Sequence, residues 1–182
     1  AAMSRCSAYL RAETARRRRV VLCLFTALTT VAVMHVAASA PAAQAATCAG
    51  SSIYVVAHED DSILFQDPDL RREVAAGRCV RTIFLTAGDA GNPSSSYWLG
   101  REAGAKAAYA QFANVANSWT QSDAGVVGHP IPLFVLAAQP RVSLAFMRLP
   151  DGNIDGSGYS TTGYRTLQKL WQASVGSIAT VD

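Results

Sequence analysis

The sequence predicts an open α/β sheet, mostly parallel and flanked by helices. Two short β-branched runs, residues 52–57 and 79–86, are apolar at nearly every position, the pattern of strands covered on both faces. Between them, residues 70–76 closed by Gly77 have the length and glycine stop of a helix, so the three segments form a βαβ unit.

Ahead of that unit, Arg16, Arg17, Arg18 and Arg19 precede an apolar stretch over residues 20–36, interrupted by Thr26, Thr29, Thr30 and His35. Ala43 and Ala45 then fit an A-x-A cleavage site, which completes the layout of a secretory signal over residues 1–45. A membrane span wants about 20 apolar residues, so the expectation is export, a secreted protein, and no stable membrane anchor after cleavage. The leader holds six of the 16 basic residues and one of the 13 acids. Its excess of five positive charges turns the formal +3 of the chain into −2 for residues 46–182. Nucleic-acid binding needs clustered Lys and Arg, so no nucleic-acid partner is expected. Cys6 and Cys23 leave with the leader, while Cys48 and Cys79 form either a disulfide or two buried thiols.

Downstream the alternation continues. Residues 100–115 are alanine-rich with Ala105, Ala108 and Phe112 on one stripe, which predicts a helix. Residues 132–138 and 142–149 predict strands, and residues 162–175, with Tyr164, Leu167, Leu170 and Trp171 at helical spacing, predict a further helix. Ligands of such sheets gather at the carboxyl ends of the strands. That directs attention to the loops 57–61, 87–91 and 150–158.

The first of these loops carries His58-Glu59-Asp60-Asp61. Adjacent carboxylates repel one another unless a cation offsets them. One imidazole and one carboxylate are ordinary zinc ligands, and a neighbouring carboxylate off the metal can serve as general base. The same residues also suit a solvated helix N-terminus, where the helix dipole favours acids.

The run Val55-Val56-Ala57-His58-Glu59-Asp60-Asp61, followed by Thr86-Ala87-Gly88-Asp89-Ala90-Gly91 and Gly100-Arg101-Glu102, resembles the PIG-L/LmbE family of zinc-dependent N-deacetylases over about residues 52–175. The resemblance implies a Rossmann-like, LmbE-like open sheet and a hydrolase that removes an N-acetyl or other N-acyl group from an N-acetylglucosamine-type sugar. By the family's His-x-Asp-Asp motif it implies His58 and Asp61 as Zn2+ ligands and Asp60 as the general base. It further implies Arg101 as a contact to sugar or phosphate oxygens, Asp151 as a binder of sugar hydroxyls, and Asp89 as an acidic position near the pocket. Where the family often has proline, this chain has Glu59. From the residues alone, Arg101 suits equally a surface ion pair with Glu102 or Asp89.

The family's third zinc ligand comes from a later histidine-rich motif. His129, in Val-Gly-His-Pro-Ile with no acid beside it, reads as a loop or core histidine. The third ligand is therefore expected beyond Asp182, and the residues 46–182 as an incomplete deacetylase domain. The start Ala1-Ala2-Met3 adds to the expectation of a fragment. An alternative of a different class is a non-catalytic secreted carbohydrate-binding protein, or an inactive relative without a complete zinc site.

Two further patterns stand out. Asp151-Gly152-Asn153-Ile154-Asp155-Gly156 matches the first half of a calcium loop, but Thr162 stands where a bidentate glutamate is needed, so a turn is the expectation. Tyr97-Trp98 suits either stacking on a sugar ring or capping of the core.

Overall fold

Strands β1 (Ser51–Val56), β2 (Cys79–Thr86) and β5 (Val142–Leu149) are parallel neighbours, whereas β4 (Pro132–Leu136) runs antiparallel to both β5 and β3 (Trp119–Asp123). The sheet order is β1-β2-β5-β4-β3, with only β4 reversed. This is an α/β arrangement, mixed and mostly parallel. The computed structural model describes residues 47–182, which fall within the unit Ala45–Asp182. The predicted leader, with its cleavage site, Cys6, Cys23 and His35, lies outside the described residues. No described helix is long and apolar enough to cross a membrane.

Helices α1 (Asp61–Phe65) and α2 (Asp69–Ala75) connect β1 to β2, α3 (Ser95–Phe112) connects β2 to β3, and a 3-10 turn at Ser160–Thr162 and α4 (Leu167–Trp171) follow β5. Val80, Thr82 and Phe84 of β2 and Val142, Leu144 and Phe146 of β5 lie in register on one sheet face. They are buried together with Leu70 and Val74 of α2 and with Ala105, Tyr109 and Ala110 of α3. Phe84 and Phe146 stack at 4.9 Å, and the buried Thr82 hydroxyl meets the Tyr109 hydroxyl at 2.6 Å. That hydrogen bond satisfies two polar groups that would otherwise be costly in the core. The opposite face is less well covered, and Ile53 and Val55 of β1 remain 67% and 53% exposed.

Three elements differ from expectation. The polar strand β3 was not legible by apolar pattern, because it is an edge strand whose residues are mostly exposed. Its connection to β4, residues 124–131, is shorter than the dozen or so residues that a parallel crossover needs, which makes the pair an antiparallel hairpin. Helix α3 begins before Gly100 because Trp98, 5% exposed, anchors its first turns in the core. The single helix expected over residues 162–175 is replaced by the 3-10 turn and the short α4. Gly163 and Tyr164 take left-handed backbone angles, and Thr166, extended, accepts a hydrogen bond from the Lys169 N–H as an N-cap. Only Leu167, Leu170 and Trp171 of the periodic set are then helical.

Cys48 and Cys79 are joined in a disulfide. It ties the segment entering β1 to the first residue of β2, and the Ala49 N–H to Gly77 carbonyl hydrogen bond runs beside it.

Candidate active site

Because β1, β2 and β5 are parallel, the loops that follow them leave from one edge of the sheet. Hydrogen bonds stitch these loops together. The Thr86 hydroxyl donates to the Ala57 carbonyl at 2.9 Å and accepts from the Gly88 N–H, while the Ala87 N–H donates to the Leu149 carbonyl at 2.8 Å. The three loops singled out by sequence therefore form one rim.

His58 stands between two carboxylates on that rim. Its Nδ1 lies 3.6 Å from Asp61 Oδ2, and its Nε2 lies 3.6 Å from Asp151 Oδ2. The Asp61 carboxylate is steadied by the His58 backbone N–H at 2.9 Å. Asp151 is held in turn by Asp89. The Asp151 N–H donates to Asp89 Oδ1 at 2.8 Å, and the Gly91 N–H donates to Asp89 Oδ2 at 3.1 Å. Asp89 is 2% exposed with both oxygens committed to backbone, so its contact with the site runs through Asp151. A cavity of about 470 Å³ opens beside His58 and Asp151, walled by Thr86, Pro150 and the 152–156 turn.

Asp60 and Arg101 form the second part of the rim. Asp60 is the N-cap residue of α1, yet its side chain makes no capping hydrogen bond. Its Oδ1 accepts from Arg101 Nη2 at 3.0 Å instead, and Arg101 Nε donates to Glu59 Oε2 at 2.9 Å. Arg101 thus pairs with Glu59 and Asp60, not with Glu102 or Asp89. Glu102 is buried against Arg148, whose Nε and Nη2 donate to its two oxygens at 2.7 and 3.1 Å.

Glu59 was not singled out for any role by sequence, where it is one acid in the run His58-Glu59-Asp60-Asp61. It is 3% exposed, and its Oε1 has no hydrogen-bond partner. Burial pushes its pKa up to about 7, outweighing the Arg101 hydrogen bond that lowers it. Burial alone would lower the Arg101 pKa, but the Glu59 hydrogen bond and the charges of Glu59 and Asp60 hold it above its ordinary value. The two shifts are compatible because only one of the two Glu59 oxygens is compensated.

No family model, no curated protein and no solved structure matches the chain.

The remaining candidates separate. Tyr97 is 41% exposed, whereas Trp98 turns inward beneath the Arg148 guanidinium, 4.7 Å from its ring centre. His129 is exposed on the β3–β4 loop, with β2 and β5 lying between β1 and β4 in the sheet. In the calcium-like segment, Asp151 Oδ1 accepts from the Asn153 N–H and Asp155 Oδ1 from the Ser157 N–H, both at 2.9 Å. Its side-chain oxygens thus close a turn, as expected. Tyr159 escaped the sequence reading. Its ring lies against Gly91 so closely that a Cβ there would collide with it, and its hydroxyl donates to Asn153 Oδ1 at 3.3 Å.

For a metal, the donor chemistry fits in part. Two ligand atoms on a tetrahedral zinc lie about 3.3–3.5 Å apart at ordinary bond lengths, close to the 3.6 Å between His58 Nδ1 and Asp61 Oδ2. Among the described residues no group of three or more His, Cys, Asp or Glu side chains could hold a metal ion.

Proposed function

We propose that this chain is a secreted, zinc-dependent N-deacetylase of the PIG-L/LmbE type, acting on an N-acetylglucosamine-type sugar. The observation that carries this reading is the gathering of Asp61 and Asp151 about His58, which with Asp151 lines one cavity, and Asp60 lies in the same turn as His58 and Asp61. His58 and Asp61 would hold the ion. When bound, zinc supplies polarisation of the acyl carbonyl and a more acidic water.

The chain's own residues carry the rest. Asp60, 55% exposed and hydrogen-bonded through Oδ1 alone, takes the proton from the attacking water on Oδ2 and returns it to the leaving amine. Asp151, at the cavity wall, accepts hydrogen bonds from sugar hydroxyls, and Asp89 fixes the backbone that presents it. Arg101 keeps its Nη1 edge for a sugar or phosphate oxygen.

Amine release from N-acetylglucosamine and its glycoconjugates, measured with zinc and again after strong chelation, tests the proposal. Zinc-dependent release supports it, and no release from the zinc-loaded protein on any of them overturns it. The lack of a three-donor group among the described residues favours a second reading, a carbohydrate-binding or inactive relative. Sugar binding that survives chelation, with no amine released, is the outcome it requires.

A further inference from the structure

We propose that Glu59 is a positioning residue: through Arg101 it fixes the carboxylate of Asp60. The role assigned to Asp60 rests on the proposed deacetylase reading, whereas the clamp itself stands on geometry. The Nε and Nη2 edge of a guanidinium is a fork that usually grips one carboxylate in two parallel bonds. In this chain the fork is split between adjacent residues, Nε to Glu59 Oε2 at 2.9 Å and Nη2 to Asp60 Oδ1 at 3.0 Å.

Three features argue that this arrangement serves orientation. Asp60 occupies an N-cap position, where an aspartate normally accepts an N–H of its own helix, and it forgoes that bond for Arg101. Glu59 is buried at 3% exposure with Oε1 unpartnered, an arrangement that costs stability in itself. The backbone also makes room for the pair. A Cβ on Gly88 would stand 2.5 Å from both Arg101 Nε and Glu59 Oε2, so the loop after β2 passes directly against the clamp. With one Asp60 oxygen held, the other is left at a set direction on the rim.

The test compares wild type, Glu59→Ala and Glu59→Gln in the folded, zinc-loaded chain. The amide oxygen of glutamine can still accept from Arg101 Nε, so Gln should act as the rescuing variant. Expected in Glu59→Ala are a fast-exchanging Arg101 Nε–H in NMR spectra and a rotamer-averaged Asp60 χ1 from three-bond couplings. Both should be restored in Glu59→Gln. Turnover of the N-acetylated sugar should fall about 10- to 100-fold in kcat in Glu59→Ala, with KM and zinc content unchanged, and largely recover in Glu59→Gln. A protected Nε–H and a single Asp60 rotamer in Glu59→Ala overturn the proposal, as does a loss confined to KM. If no protein, wild type included, releases amine, the deacetylase reading fails while the NMR comparison still decides the clamp.

Discussion

His58 and Asp151 leave strands that are not neighbours, β1 and β5, yet their side chains meet at 3.6 Å across the carboxyl end of β2. Asp61, three residues beyond His58, reaches the other imidazole nitrogen at the same distance. The imidazole is thus flanked by one local and one distant carboxylate. In the proposed site the local one is a metal ligand and the distant one a substrate contact. Asp151→Ala should therefore keep zinc while raising KM for the sugar about 10- to 100-fold, the loss of one charge-assisted hydrogen bond. Zinc titration alongside steady-state kinetics separates the two effects, and loss of zinc in this variant would place Asp151 among the ligands.

Asp60 and His58 should part company in the same way. His58→Ala is expected to lose both zinc and turnover. Asp60→Asn, isosteric and still able to accept from Arg101, should retain zinc while turnover falls about 10²- to 10⁴-fold, the range for removal of a general base. Equal zinc loss in the two variants would sink this division of roles.

Asp89 should behave as a loop anchor. Asp89→Ala leaves the N–H groups of Gly91 and Asp151 without their acceptor. A drop in stability of about 1–3 kcal/mol is expected from two half-buried donors losing a charged partner, with faster amide exchange at Gly91 and Asp151. Unchanged exchange at both would show that the carboxylate does not hold the loop.

Glu59 gives the fold a pH dependence of definite sign. Folded Glu59 holds its proton to about pH 7 and the unfolded side chain only to about 4.5, so the folded state binds more protons between those values. Its contribution makes stability fall as pH rises through that window. Denaturant melts of wild type and Glu59→Gln at intervals from pH 4 to 8 should converge at low pH and diverge toward neutrality, the glutamine variant being the less pH-sensitive. Parallel curves would count against the burial-raised pKa.

The Cys48–Cys79 disulfide closes a loop with a sequence separation of 31 residues. Loop-closure entropy of that length corresponds to about 3–4 kcal/mol. The double variant Cys48→Ala with Cys79→Ala should lose about that much in urea unfolding, with the β1–β2 pair becoming the first region to exchange. A loss below about 1 kcal/mol would show that the crosslink removes little entropy from the unfolded chain.

What the sequence determined by itself is local. Strands β2 and β5 were legible to the residue, because a strand apolar on both faces has few other uses. The His58–Asp61 turn and the three loops at the strand ends were legible for a related reason: parallel strands force their following loops to one edge. The separate helix α4 was not, since the left-handed pair Gly163 and Tyr164 breaks a pattern that periodicity alone continues. Nor was β3, whose exposed residues carry no apolar pattern and whose place in the sheet rests on its pairing with β4.

Only the tertiary structure decided how the charges pair. Arg101 had Glu102 and Asp89 as nearby candidates in sequence, but Glu102 lies inside the core with Arg148 and Asp89 is spent on backbone N–H groups. The guanidinium instead reaches Glu59 and Asp60, across the rim from α3. Apolar burial follows from periodicity because it is non-directional and sums over a whole face. An ion pair depends on the positions of a few atoms, and those are set by the register of β1 against β2 and by where the Trp98-anchored helix begins.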